Sequence, residues 1–116
     1  MEPTHEQYSV DDGKTIAIIS YFTVIGLIIA FLLNNDKNNP FAAFHIRQSL
    51  GLIVTGLALW FVVTIFFMML YIPWLDSVLY LAMVVLWLFG LVGAVQGQKK
   101  PVPVLGEEYQ KWFAGI

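Results

Sequence analysis

The sequence has no cysteine and very little charge, and both absences limit what the protein can do. Zero cysteines among 116 residues exclude disulfides, thiolate metal sites and cysteine nucleophiles. Charged residues make up 12 % of the chain and hydrophobic residues 59 %. A soluble domain of this size would need more polar surface to cover its core. The composition therefore predicts one small domain of the integral membrane class.

The long apolar runs also lack the side chains of catalytic sites. They contain no acid and no histidine, although ionisable residues inside a membrane are the first candidates for function. His45 and His5 together fall short of the ligand number that zinc requires. No Gly-Lys-Ser or Gly-Lys-Thr follows the late glycines, and a net charge of −2 disfavours nucleic-acid binding. We therefore expect no enzyme, no cofactor, no metal and no nucleic-acid partner.

Three apolar runs predict an all-α integral membrane fold with three transmembrane helices. Crossing a bilayer takes about 20 helical residues, and the runs cover residues 15–33, 50–72 and 78–95. The second helix is predicted to begin at the cytoplasmic surface, with Asn39 as its cap and Pro40 in its first turn. It would continue to Ile72 over roughly 50 Å, at about 1.5 Å per residue. Gly51 is the favoured place for a bend.

The segments around these runs are polar. Residues 1–14 are interpreted as an acidic flexible tail, and residues 15–97 as the membrane domain. Residues 98–116 are predicted to be a cytoplasmic tail, kept extended by Pro101 and Pro103. A short amphipathic interfacial helix is expected there over residues 107–113, with its acids early and Lys111 late.

Basic residues near the ends of the runs predict the orientation in the cell (inner) membrane. With three spans, Lys14 alone falls on the side of the N-terminus. The other five fall on the opposite side: Lys37, Arg47, Lys99, Lys100 and Lys111. The positive-inside rule then places the N-terminus outside and the C-terminus in the cytoplasm.

A polar cluster on the predicted cytoplasmic side is the candidate contact site for a partner or for lipid. It consists of His45, Arg47 and Gln48, joined by Lys99 and Lys100. One interpretation is a specific docking site. The other is that Arg47 meets lipid phosphates while His45 and Gln48 cap or bridge helix ends. Small residues that let helices approach closely in lipid are candidates for helix packing: Ser20, Gly26, Gly51, Gly56, Gly90, Gly93 and Gly97.

Three segments carry a resemblance to a known family: SYFTVIGLI (20–28), FHIRQSLGL (44–52) and GAVQGQKKPVPVLGEEYQKWF (93–113). Together they resemble small bacterial multi-pass membrane proteins of unknown function that are grouped with the chloroplast inner-envelope import component, the Tic twenty family. The resemblance implies an all-helical multi-pass protein with a role in or beside protein translocation. The chloroplast members look to have four spans and this chain three, which argues against a self-contained channel. No catalytic residue is carried over.

Two functional hypotheses follow. The first is a non-catalytic subunit or accessory of a larger membrane complex, linked to protein translocation or insertion, with lipids and a membrane protein as partners. The second is a homo-oligomeric channel or small-solute conductance pathway, which needs several copies because three spans enclose little space. The lack of charge at the membrane midplane favours the first.

Overall fold

The computed structural model describes residues 5–69 and 73–116 and is all-helical over those ranges, as predicted. Its shape is elongated, 60 × 25 × 22 Å. Five helices follow one another along the described chain: α1 (His5–Ile19), α2 (Thr23–Lys37), α3 (Pro40–Met69), α4 (Leu75–Val95) and α5 (Gly106–Trp112).

Helix α3 is the axis on which the other helices pack. It runs without a break from Pro40 to Met69, which confirms the predicted continuous helix over these residues; its predicted end at residues 70–72 lies outside the described chain. The side chain of Asn39 caps the start, with Oδ1 accepting a hydrogen bond from the Ala42 N–H at 2.9 Å. Thirty residues give a helix of roughly 45 Å.

The predicted first transmembrane helix over residues 15–33 is wrong. The helix stops after Ile19, and Thr23, which opens α2, has a φ of 62°. The chain turns back at this point, so that Ile16 of α1 packs with Leu27 and Ala30 of α2. Residues 5–37 therefore form a short helical hairpin. Among the described residues two helices are long and apolar enough to cross a membrane, Pro40–Phe66 and Leu75–Val95.

The short hairpin covers only the first half of α3. Gly13 of α1 lies against Asn39 and Ala42, and Ser20 at the turn lies against Ser49. Helix α1 is thus parallel to α3, and α2 returns antiparallel to it. Residues 5–14, predicted as part of an acidic flexible tail, belong to α1, and residues 1–4 lie outside the described chain.

Helix α4 runs antiparallel to α3. Both helices extend past the end of the short hairpin, so the molecule has two parts. We call the first part the base: α1, α2, residues 40–55, residues 86–95 and the tail 96–116. The second part is the outer hairpin, residues 56–69 and 75–85. All the buried hydrophobic residues of the described chain lie in the base, whereas Trp60, Phe61 and Tyr80 of the outer hairpin are exposed. An outer hairpin with apolar side chains facing outward suits hydrocarbon, because lipid tails are as apolar as those side chains.

The tail folds back onto α3. The predicted short helix near the C-terminus is present as α5, displaced by one residue. Its Tyr109 is buried against Gly51, and the Tyr109 hydroxyl lies 2.6 Å from Thr55 Oγ1. Burial raises the pKa of Tyr109, and the hydrogen bond to Thr55 acts in the opposite direction.

The base also collects the basic residues. Because Gly13 lies beside Asn39, its neighbour Lys14 sits at the same end of the molecule as Lys37. All six lysines and arginines of the sequence therefore lie in the base. The five-to-one division on which the predicted orientation depended does not hold, because it assumed that residues 15–33 cross the membrane.

Candidate functional site

Five polar residues meet inside the base, where the turn of the short hairpin reaches α3. We call this group the polar junction: Ser20, Tyr21, His45, Gln48 and Ser49. All five are buried, and the side chains of His45 and Gln48 have no solvent exposure. Buried polar groups are expensive unless they are hydrogen-bonded, so their partners decide whether the junction is stable.

Both ring nitrogens of His45 have partners. Nε2 lies 2.8 Å from the carbonyl oxygen of Gln98, and Nδ1 lies 2.6 Å from the hydroxyl oxygen of Tyr21. A carbonyl oxygen can only accept, so we assign the proton to Nε2. Nδ1 then accepts the hydrogen bond that the Tyr21 hydroxyl donates. A neutral imidazole satisfies this geometry.

Gln48 completes the junction and ties it to the segment after α4. Its Nε2 donates to the Tyr21 hydroxyl at 2.9 Å and to the carbonyl of Lys100 at 3.4 Å. Its Oε1 accepts from the backbone N–H of Val102 at 2.8 Å. The Tyr21 hydroxyl thus donates once and accepts once. The side chains of His45 and Gln48 on α3 thus join the turn at Tyr21 to residues 98–102.

The turn of the short hairpin is hydrogen-bonded by side chains of α3 and α4. Ser49 Oγ donates to the carbonyl of Ser20, and Trp87 Nε1 donates to the carbonyl of Tyr21 at 2.6 Å. The hydroxyl of Ser20 donates to the carbonyl of Ala17 at 2.6 Å. A helix break normally leaves backbone carbonyls without partners, and in hydrocarbon each such carbonyl costs several kcal/mol. These contacts allow the break to lie at membrane depth.

The polar side chains at the centre of the junction already have hydrogen-bond partners, and the described residues contain no cluster that could hold a metal ion. Each polar side-chain atom of His45 and Gln48 has a partner within the fold. Over residues 5–69 and 73–116, no group of three or more His, Cys, Asp or Glu is placed to hold a metal ion. The hydrogen bonds of the junction therefore have a structural role: they hold the helices together.

The structure separates the residues that the sequence grouped as a contact site. His45 and Gln48 face the junction, whereas Arg47 faces the tail, with Nη1 3.5 Å from Gln110 Oε1 and Nη2 3.3 Å from the carbonyl of Ala114. Lys99 and Lys100 are exposed. Contact of these residues with a partner or with lipid stays a prediction.

Two of the candidate packing glycines make room for aromatic rings of the same chain. At Gly90 an added Cβ would lie 2.6 Å from Cε1 of Tyr21, so the ring can reach His45 only because residue 90 has no side chain. At Gly51 an added Cβ would overlap the ring of Tyr109. Sequence reasoning missed both tyrosines, because Tyr21 lies inside the predicted first transmembrane helix and Tyr109 belongs to the predicted interfacial helix, where aromatic residues need no polar partner.

The other candidate packing residues have varied surroundings. Ser20 belongs to the polar junction. Gly26 lies against the backbone of Ile19, where an added Cβ would be 2.5 Å from the carbonyl oxygen. Gly97 lies two residues after the end of α4 and has a φ of 72°. Added Cβ atoms at Gly56 and Gly93 would meet their nearest neighbours at 3.7 and 3.6 Å, which is ordinary contact.

Comparisons with known proteins give a family and a relative. A model described as the magnetosome magnetite crystal formation protein family matches residues 12–107. A UPF0132 membrane protein of Methanocaldococcus jannaschii is 29 % identical over 93 residues, which cover 79 % of this chain. The chain spans 62 % of the length of that relative. No solved structure matches.

The family match corrects the resemblance drawn from the sequence. It covers the first two of the three quoted segments and most of the third, and nothing in the comparisons points to the chloroplast import component. Short apolar segments with small residues recur in unrelated membrane helices because close packing favours them. The assignment to the Tic twenty family is therefore wrong.

Proposed function

Because the chain belongs to the magnetosome magnetite crystal formation protein family, we propose that it is a non-catalytic accessory subunit of a membrane complex, acting through the helices that it inserts into the bilayer. The family description concerns magnetite crystals. For this chain we propose the membrane-scaffold part of such a role, which does not require the chain itself to bind mineral. A role in protein translocation has no support, because it depended on the resemblance that the family match replaces.

The observation that carries the proposal is the contrast between the base and the outer hairpin. The base is packed around two apolar clusters and a bonded polar junction. The outer hairpin exposes Leu57 and Phe61, one turn apart on α3, to more than 60 %. This supports a folded base that holds a helix pair in position for a membrane partner.

The membrane arrangement proposed with this function has two spans and a re-entrant short hairpin. Its turn has bonded carbonyls, as hydrocarbon requires, and α2 carries a wide exposed apolar surface: Val24, Ile25, Ile28, Ile29, Phe31, Leu32 and Leu33. Both ends of the described chain then lie on the same side of the membrane. The positive-inside rule and the six basic residues of the base support the proposal that this side is the cytoplasm.

A matched pair of double variants tests the proposed contact surface. Leu57→Ala with Phe61→Ala removes two exposed side chains from the outer hairpin, and Ile25→Ala with Ile29→Ala removes two from α2 at the same spacing. Each protein is purified in mild detergent, its co-purifying chains are identified by mass spectrometry, and its mass is measured by light scattering. We expect the first variant to lose a stoichiometric partner and the second to keep it. Equal recovery from both variants would contradict the proposal.

A second candidate function is a homo-oligomeric conductance pathway. It is favoured by a cavity of about 420 Å³ between α3 and α4 that includes Thr64, Asp76 and Tyr80 among its lining residues. Purified protein in liposomes would then form defined oligomers and pass ions, and Asp76→Asn would change the flux. Liposomes that stay tight at all protein densities would remove this candidate.

A further inference from the structure

A second polar site lies on the opposite side of α3 from the polar junction, around Arg47. It is a cavity of about 260 Å³ where the end of α2 meets the start of α3. The polar residues that line it are Asn34, Asn35, Asn38 and Arg47, and Phe31 and Ile46 form part of its apolar wall. Ile116 also lines it. No acidic side chain is among the described residues that form it.

Arg47 is poorly satisfied by the chain itself. Its two hydrogen bonds are long, at 3.5 Å to Gln110 and 3.3 Å to Ala114, and both acceptors are uncharged. Its Nε is buried and has no hydrogen-bond partner within the described chain. The ion pair between Lys111 and Glu108 does not involve Arg47. A partly buried guanidinium whose described hydrogen bonds all go to uncharged acceptors is costly, so an anion from outside would stabilise it.

The surroundings of Arg47 select the kind of anion. Guanidinium groups pair with phosphate through two parallel hydrogen bonds, and the exposed amides of Asn35 and Asn38 can donate to further oxygens. Phe31 belongs to the exposed apolar surface of α2, so the site is polar at one end and continuous with an apolar surface at the other. A phospholipid has the same division between headgroup and acyl chain.

We infer that the cavity between α2 and α3 binds one anionic phospholipid, with its phosphate on Arg47 and its acyl chain along Phe31. Asn35 and Asn38 hold the remaining headgroup oxygens. The site differs from general attraction of a basic protein to a membrane, because it depends on the fork of Arg47 and on amides that carry no charge. It rests on the membrane placement proposed above, in which the end of the base that carries the basic residues lies on the cytoplasmic side.

Native mass spectrometry of the full chain tests this inference. The protein is purified in detergent, exposed to phosphatidylglycerol or phosphatidylcholine, and the lipid retained per chain is counted. We expect one phosphatidylglycerol per chain, and little phosphatidylcholine. Arg47→Gln should reduce retention by at least about ten-fold, since hydrogen bonds to charged groups contribute about 1.5–3 kcal/mol and about 1.4 kcal/mol corresponds to a factor of ten. Arg47→Lys should reduce it by a smaller factor, because charge is kept and the fork is lost.

Two further variants separate a site from charge alone and from misfolding. Lys111→Gln removes one exposed positive charge from the tail and should leave retention unchanged. Asn38→Gly removes an amide at a position whose φ of 51° suits glycine, so it keeps the fold and should weaken retention several-fold. Equal losses for Lys111→Gln and Arg47→Gln would overturn the inference. Full lipid retention in both single variants, Asn38→Gly and Arg47→Gln, would also overturn it.

Inorganic phosphate distinguishes the source of the anion. If millimolar phosphate displaces the retained phosphatidylglycerol, the site takes free phosphate and the lipid assignment is wrong. If the lipid stays bound, the assignment holds. The count is made in detergent and does not depend on membrane orientation or on a protein partner. Failure of the lipid site and failure of the proposed function are therefore seen in different experiments.

Discussion

The ring of Tyr109 on α5 lies against Gly51 of α3, at the position where a side chain of residue 51 would begin. The hydroxyl of that ring reaches Thr55, one turn further along α3. The tail is thus attached to α3 through an aromatic ring seated on a glycine. This contact makes the docking of α5 sensitive to a single methyl group.

Gly51→Ala is expected to release the tail. Overpacking of a closely packed site costs about 1–3 kcal/mol, which outweighs the roughly 1 kcal/mol that alanine contributes to helix propensity. Limited proteolysis of residues 98–116 measures the release. Gly56→Ala is the matched control on the same helix, because its added methyl meets only Met83 Cε at 3.7 Å. Faster cleavage in the control than in Gly51→Ala would contradict the packing described here.

Tyr21→Phe is expected to destabilise the whole base. Removing the hydroxyl leaves Nδ1 of His45 without a donor and takes the shorter of two hydrogen bonds from Gln48 Nε2. Loss of partners for buried polar groups costs about 1–3 kcal/mol each. Denaturant unfolding in detergent micelles measures the change. Tyr80→Phe, at an exposed tyrosine, should be close to neutral, and equal effects of the two changes would show that the junction contributes nothing.

The topology has a sharp test, because a chain without cysteine gives clean single-cysteine labelling. We expect Asp12→Cys and Ala114→Cys to react from the same side of the membrane and Ser77→Cys to react from the other. Phe22→Cys, at the turn of the short hairpin, should resist water-soluble reagents from both sides. Labelling of positions 12 and 114 from opposite sides would restore a third span and refute the re-entrant hairpin.

Tail docking is expected to weaken at alkaline pH. Burial raises the pKa of Tyr109 in the folded state above its ordinary value of 10.0, so the folded chain favours the protonated phenol. The stabilisation is complete below the ordinary pKa and is lost as pH rises through the higher folded value. Proteolysis of the tail at several pH values should show the trend, and Tyr109→Phe should remove it. A trend that persists in Tyr109→Phe would assign it to another group.

The sequence was sufficient to predict α3 and α4. Each contains a long uncharged run, residues 50–69 in α3 and 78–95 in α4, and the Asn39-Pro40 start of α3 is a local signal that needs no tertiary contact. The α5 helix was also found, because its acids and lysine follow the helix dipole. These elements are determined by residues close together in the chain.

The turn at residues 20–22 could not be predicted in the same way. No glycine or proline marks it, and residues 15–33 read as one apolar helix. The break depends on Ser49, Trp87 and His45, which lie far along the chain and come close only in the folded base. The number of consecutive apolar residues gives no information on such contacts. For the same reason the sequence analysis grouped Arg47 with His45 and Gln48, which face the other side of α3.

The bonds that Gln98 and Val102 make with His45 and Gln48 set the order in which the chain can be completed during synthesis. His45 is 53 residues before Gln98, and Gln48 is 54 residues before Val102. At about 5–20 residues per second, α3 leaves the ribosome several seconds before these partners exist. Until then His45 and Gln48 lack the hydrogen-bond partners that Gln98 and Val102 provide. The segment translated after α4 therefore closes a structure that the first half of the chain cannot finish, and a ribosome that stops after α4 releases a base that stays open.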